Sequence, residues 1–389
     1  MDKPLKPATR LLRAGRPHQG WINTPVTRAS TYVFDSVQAW RETREQRENQ
    51  RLASYGARGT DSTHALEDAL IALEGGDRAQ LYPTGQAAIM TVLLAYLKPG
   101  DHVLMTDAVY EPVRRFCSEH LSRLGIEYEY YLPDGSDLAA RIRPQTRMIY
   151  AECPGSLVYE MMDLPAVAEL AHRHDCILAV DNTWGAGLLY RPLELGADLS
   201  VIAATKYLGG HADVMMGAVV CKAGVWPALQ RASIDFGQTV GADDAYLVLR
   251  GIRSLAPRLR QHQDNALRVA AWLQQQAEVA AVLCPALPGD PNHALWLRDC
   301  HGTNGLLSVE FAAGISPAAT ERMVDALALF GLGASWGGFE SLVVPANMLR
   351  ARTLTDWSGR GAILRLHIGL EDPEDLIADL AQGLQHLQD

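Results

Sequence analysis

From about residue 61 the chain alternates short apolar runs with longer amphipathic ones, and this alternation constrains the fold more than any other feature. The strand-like runs are AQLYPT, HVLMTD, IEYEYYL, RMIYAEC, CILAVDN, SVIAAT and GAVVCK. Helical patterns such as AAIMTVLLAYL, EPVRRFCSEHLSRLG and LPAVAELAHRHD lie between them. Strands that are apolar along most of their length must be covered on both faces, and helices placed between them supply the cover. The pattern predicts an α/β chain with a mostly parallel sheet. Its ligand site is expected at the carboxyl ends of the strands.

Three regions follow from this. Residues 1–60 mix Pro, Gly, Thr and Arg and read as an irregular arm, with one charged helical stretch from Gln38 to Asn49. Residues 61–254 hold the sheet. After Ala245 a helical pattern runs to about Gln276, and Pro257 is expected to kink or divide it, because proline lacks an N–H and crowds the preceding turn. That pattern leads into a smaller domain over 255–389. Further strands are expected there at NGLLSVEF and AILRLHIGL, with helices near 317–330 and 373–386. At 389 residues the chain has room for such domains and for a large core.

The formal net charge of −10 argues against nucleic acid or an anionic membrane surface as a partner. No apolar run reaches the length of about 18 residues that a membrane span needs. The start, MDKPLKPATRLLRAG, lacks the apolar stretch of a signal peptide. The six cysteines include no CxxC pair and read as reduced buried thiols, so the cytoplasm is the expected location. The histidines offer no metal set. His172 and His174 are two apart on a helical pattern and do not share a face.

Chemistry points first to Lys206, in ADLSVIAATKYLGG. It follows an apolar strand, and a lysine in a partly dry strand-end site loses its proton more readily. A neutral amine can attack an aldehyde and form an imine. Taken alone, a lysine is more often a solvated surface charge. Asp181 ends the apolar run CILAVDN, where a bare carboxylate is costly and calls for a cation. A protonated pyridine nitrogen is one such partner, and a cap on the following turn is the plainer alternative. Thr84-Gly85-Gln86 opens a helix after a strand, and the free amides of such a start suit a phosphate. Tyr110 stands at another strand's carboxyl end, where an aromatic ring packs in the core or stacks on a flat cofactor. Arg365 interrupts the apolar run AILRLHIGL and requires a carboxylate, from the protein or from a substrate.

In this order, the stretches YGARGT, LEGGDRAQLYPTGQAA, GDHVLMTDAVYEP, DNTWGAG, AATKYL, SWGGFESL and RLHIGLEDPEDLIADL resemble the cysteine/methionine-metabolism family of pyridoxal-phosphate enzymes, nearest its bacterial cystathionine β-lyase branch. The resemblance runs from about residue 12 to the C-terminus. It implies the aspartate-aminotransferase-like fold (fold type I), pyridoxal 5′-phosphate as cofactor, a small amino-acid substrate, and a homotetramer built from catalytic dimers. It implies Lys206 as the Schiff-base lysine and proton carrier, Asp181 as the partner of the pyridine nitrogen, and Tyr110 as the stacking ring. Gly85, Gln86 and Thr205 match phosphate-binding positions. Tyr55 matches a tyrosine that reaches the neighbouring subunit's phosphate. Arg365 matches the arginine that grips the substrate carboxylate, and Ser335 and Trp336 match the substrate-side loop.

Departures from the branch cluster at the far end of the substrate. The branch carries arginines at both positions after Tyr-Gly, where this chain has Ala57 and Arg58. The first of the two helps hold phosphate, and the second is associated with the distal end of cystathionine. An acidic residue facing the distal amino group is replaced by Arg115. The family's common Asn is Ser156 in AECPGS, as in the β-lyase branch. The implied reaction is an α,β-elimination giving a thiol (homocysteine), pyruvate and ammonia. The alternative is β- or γ-elimination on a smaller amino acid bearing a thioether or another leaving group such as a halide.

Overall fold

Seven of the apolar runs join in one sheet, in the order β1-β7-β6-β5-β4-β2-β3. Its strands are β1 (Arg78–Tyr82), β2 (His102–Thr106), β3 (Glu127–Tyr131), β4 (Thr146–Glu152), β5 (Ile177–Asp181), β6 (Leu199–Ile202) and β7 (Gly217–Cys221). The computed structural model describes residues 5–17, 20–47 and 50–387. Only β7 runs against the rest, antiparallel to both β1 and β6. The sheet is therefore mostly parallel, as the alternation predicts.

Strands β2, β6 and β7 are buried at every position. Helices cover them, including Asp61–Glu74, Gly85–Tyr96 and Leu164–Arg173. The last of these starts well, with Asp163 accepting the Ala166 N–H and proline in the first turn. The expected helix EPVRRFCSEHLSRLG is less regular. It is α-helical over Glu111–Phe116, widens to a π turn over Cys117–Leu121 and tightens to a 3₁₀ turn over Ser122–Leu124.

A second sheet of five strands has the order β10-β11-β12-β9-β8. These are β8 (Val279–Leu283), β9 (Leu306–Phe311), β10 (Gly331–Leu332), β11 (Leu342–Ala346) and β12 (Ile363–His367). The sequence pattern anticipates β9 and β12. Of the other three, β10 is two residues long, β11 contains a proline, and the alanine-rich β8 (VAAVL) shows no alternating period. Helices Leu255–Leu273 and Pro373–Leu384 pack on this sheet around Phe311, Leu364, Leu366 and Leu376.

Three local expectations need adjustment. The long helical pattern is divided at Ser254, not at Pro257, giving helices Ala242–Arg253 and Leu255–Leu273. Pro257 falls in the first turn of the second helix, where no intrahelical acceptor is lost. The charged stretch of the arm is a helix over Val37–Gln46, and Glu48 and Asn49 lie outside the described residues. The arm also carries a helix, Pro7–Arg13, whose Leu11 is buried. All six cysteines are unpaired and five are buried. Among the described residues no helix is long and apolar enough to cross a membrane.

Candidate active site

The carboxyl ends of β4, β5 and β6 meet the loop before β11 and the face of β12 around a cavity of about 450 Å³. Gly85, Gln86, Tyr110, Asp181, Thr205, Lys206, Ser335, Trp336 and Arg365 all line it. Residues separated by up to 280 positions in sequence thus converge at the sheet edge where open α/β folds bind ligands.

Lys206 follows β6 in a tight turn and is partly buried. Its Nζ donates to Ser335 Oγ at 2.6 Å and lies 5.3 Å from the centre of the Trp336 ring. Burial lowers the amine to about 8, with the Arg365 charge acting in the same direction and Asp181 opposing. Asp181 is buried at the end of β5. Its Oδ1 accepts from the Thr183 N–H at 3.0 Å and from the Thr183 hydroxyl at 2.6 Å. Burial raises its pKa, while the Thr183 bonds and the Lys206 charge favour the anion. Oδ2 has no hydrogen-bond partner among the described residues, so a cation entering the cavity can pair with it.

Helix Gly85–Tyr96 begins at Thr84, whose side chain accepts the Ala87 N–H at 3.0 Å. The Ala88 N–H goes to the Thr84 carbonyl. That leaves the Gly85 and Gln86 N–H groups, which have no partner among the described residues and stand at the cavity. A Cβ on Gly85 would lie 2.8 Å from Ala203 Cβ, so only glycine lets the helix start this close to the end of β6. Tyr110 caps helix Glu111–Phe116 and leaves 47% of its surface exposed along the cavity. Arg365 is partly buried on β12. Its Nη2 donates to Ser335 O at 2.9 Å, while its buried Nε has no partner.

The donor set fits a pyridoxal phosphate. It offers free amides at a helix start for an anion, an amine with a lowered pKa, a carboxylate open to a ring cation and an exposed aromatic face. Thr205 lines the cavity with its hydroxyl bonded to the Met216 backbone. Its hydroxyl donates to Met216 O at 3.1 Å and accepts from Met216 N at 2.9 Å.

Three expected residues stand apart from this cavity within the chain. Tyr55 is 53% exposed on the arm, where its backbone pairs with Thr31. Arg58 lines a separate cavity with Arg51, His64 and Glu67. Arg115 is exposed in the last turn of helix Glu111–Phe116. In turn, sequence reasoning did not single out Glu152, Thr183 or Trp184, all of which line the Lys206 cavity. The strand-end argument for Asp181 applies equally to Glu152, which ends β4. Thr183 and Trp184 carry no signal beyond following Asp181.

Known proteins align with this geometry along the whole chain. Residues 8–385 match the family model described as Cys/Met metabolism PLP-dependent enzyme. A cystathionine β-lyase of Bordetella avium is 48% identical over 369 residues, covering 93% of this chain and 92% of the relative. The cystathionine β-lyase of Escherichia coli (strain K12) is 42% identical over 395 residues, covering 99% of each. The crystal structure of metB from Corynebacterium glutamicum superposes with a TM-score of 0.89 at 31% identity, covering 98% of both chains. The chain belongs to the Cys/Met metabolism family of pyridoxal-phosphate-dependent enzymes.

Proposed function

We propose that the chain is a carbon–sulfur β-lyase of the cystathionine β-lyase type. The net reaction takes L-cystathionine and water to homocysteine, pyruvate and ammonia. The observation that carries this reading is the convergence on one cavity of a lysine amine lowered to about 8, the Asp181 carboxylate and the unpartnered Nε of Arg365. The similarity to cystathionine β-lyases at 48% and 42% identity supports the choice of branch.

Bound pyridoxal 5′-phosphate supplies an aldehyde that captures an amine and a ring that stores an electron pair. The Gly85 and Gln86 N–H groups hold its phosphate at the helix start. Asp181 keeps its ring nitrogen protonated, and Thr183 holds Asp181 in place. Tyr110 would offer its exposed aromatic face to the ring. Lys206 would anchor the cofactor, and its amine is the base placed to take the proton from the substrate Cα. Its low pKa makes that possible, because an amine at about 8 is part neutral near pH 7. Arg365 grips the substrate α-carboxylate, bringing Cα within reach of Lys206.

The arm supports a shared active site. Trp21, Ile22 and Val33 are 77%, 71% and 84% exposed, more apolar surface than a solvated segment keeps. A neighbouring subunit covers this surface in a homotetramer of catalytic dimers, and Tyr55 and Arg58 serve that neighbour's cavity. The second reading is elimination on a smaller amino acid, with a thioether or halide as leaving group. It is favoured by Arg115, a cation where the branch carries an acid.

Incubating the purified enzyme with L-cystathionine, S-methylcysteine, 3-chloroalanine and homoserine derivatives tests both readings. Pyruvate with homocysteine from cystathionine is the expected result. Pyruvate from the short substrates alone favours the second reading. 2-Ketobutyrate as the main keto acid overturns β-elimination.

A further inference from the structure

Strand β12 presents two polar side chains toward the active-site loop. Alternate residues of a strand share a face, so Arg365 and His367 leave β12 on the same side. Arg365 reaches Ser335 O. His367, completely buried, meets the next part of the same loop: its Nε2 lies 3.0 Å from the Gly337 N–H, which donates to it, and 3.2 Å from Gly338 O. With the ring proton on Nδ1, Nε2 accepts the Gly337 N–H and ties the imidazole to the loop backbone.

The loop needs such a tie. Ser335 has φ of 84° and Gly337 has φ of 87°, both in the left-handed region. For a residue other than glycine this conformation persists only where the surroundings impose it. Gly337 also presses on the cofactor lysine's own backbone. A Cβ there would lie 2.7 Å from Tyr207 N and 2.8 Å from Lys206 C. The position of this loop and the position of Lys206 are therefore one geometric fact.

Among the described residues, three hydrogen bonds hold Ser335–Gly337 against the site: Lys206 Nζ to Ser335 Oγ, Arg365 Nη2 to Ser335 O, and Gly337 N–H to His367 Nε2. On the reading given above, the first two come from groups that handle cofactor and substrate, and both change partners in turnover. Of these three, the His367 bond is the one free of that duty. We infer that His367 is a positioning residue, which keeps the Ser335–Gly337 loop seated on Lys206 while Lys206 and Arg365 exchange partners.

The surroundings of His367 suit this role. The Tyr207 ring lies 5.8 Å away and the His262 ring 5.2 Å away, and all three rings are completely buried. His262 is itself fixed by Ile368 O at 2.8 Å. Burial, with His262, Arg365 and Lys206 nearby, pushes His367 down to about 3, so it stays neutral and keeps an acceptor nitrogen.

Amide exchange of the wild-type holoenzyme is the first test. The Gly337 amide should be protected as strongly as neighbouring sheet amides, and exchange at the rate of an open loop overturns the inference. The second test compares His367→Phe, which keeps a ring without an acceptor, with His367→Gln, whose amide oxygen replaces Nε2. In the Phe holoenzyme kcat/KM should fall about tenfold, and the pH midpoint of the lysine-linked cofactor's visible band should move. The Gln variant should recover to within about threefold and restore the midpoint. Unchanged rate and midpoint in the Phe variant, or a Gln variant no better than Phe, overturn it. If the Phe variant fails to fold, the exchange measurement decides. Lys206→Ala run in parallel separates the two readings: a visible band that persists there refutes the assignment of Lys206, whatever the Gly337 amide shows.

Discussion

Glu152 and Asp181 are register partners at the carboxyl ends of β4 and β5, and both line the cavity around Lys206. In-register residues on adjacent parallel strands point to the same face, so two carboxyls stand side by side in a partly dry site. Asp181 receives two hydrogen bonds from Thr183, whereas Glu152 Oε2 accepts the Tyr110 N–H at 2.7 Å. Burial first, and Asp181 second, push Glu152 well above its ordinary value. The two Thr183 bonds favour the anion at Asp181, while burial and the Asp181 charge favour the neutral acid at Glu152.

This arrangement has a stability signature. A carboxyl whose folded pKa is raised binds more protons folded than unfolded. It stabilises fully below its unfolded value of 4.5, and that contribution declines as pH rises toward the folded value. Glu152→Gln removes the titration. In thermal melts of the apoenzyme from pH 5 to pH 8, the variant should lose less stability with rising pH than the wild type. Parallel curves for the two proteins refute the protonated Glu152.

The amine of Lys206 yields a kinetic test. The visible band formed when apoenzyme takes up pyridoxal 5′-phosphate should grow faster with pH around a midpoint near 8, not near the ordinary 10.5. Arg365→Ala removes a cation that favours the neutral amine, so its midpoint should move up. Asp181→Ala removes an anion that favours the ammonium, so its midpoint should move down, and turnover should be crippled even with cofactor bound. Stopped-flow mixing across pH measures all three. Shifts in the opposite directions contradict the charge layout.

Sharing of the site between subunits is testable by mixing. In a hybrid of a Tyr55→Phe/Arg58→Ala subunit with a Lys206→Ala subunit, one site collects all the lesions and the other has none. Mixed subunits of the two inactive proteins should regain activity, because some hybrid sites draw every essential group from an intact surface. No recovery after verified subunit exchange means that Tyr55 and Arg58 do not serve the neighbour.

Arg115 is exposed, so water and salt screen its charge. Arg115→Asp should raise kcat/KM for cystathionine over S-methylcysteine by less than about fivefold at low salt, with the gain vanishing at high salt. A salt-independent gain of about tenfold or more would place Arg115 in contact with the distal ammonium. Equal responses of both substrates remove it from selectivity altogether.

The sequence by itself determined the sheet. The period of apolar residues decides which segments become buried strands, and all seven runs of the large sheet are visible in it. It also marked Lys206, Asp181 and Arg365, because a charge at the end of an apolar run, or inside one, violates the local pattern and so announces a purpose. Tertiary structure alone decided what these groups touch. Lys206 and Ser335 are 129 positions apart, and His367 reaches Gly337 across 30. Such contacts depend on how two sheets are set against each other, which no local period encodes. The same holds for Thr205, whose hydroxyl is taken by Met216, and for Glu152, whose protonation depends on the neighbouring strand's register. Local sequence dictates secondary structure through backbone sterics and apolar periodicity, while pKa values and hydrogen-bond partners arise from burial and proximity that exist only after the chain has packed.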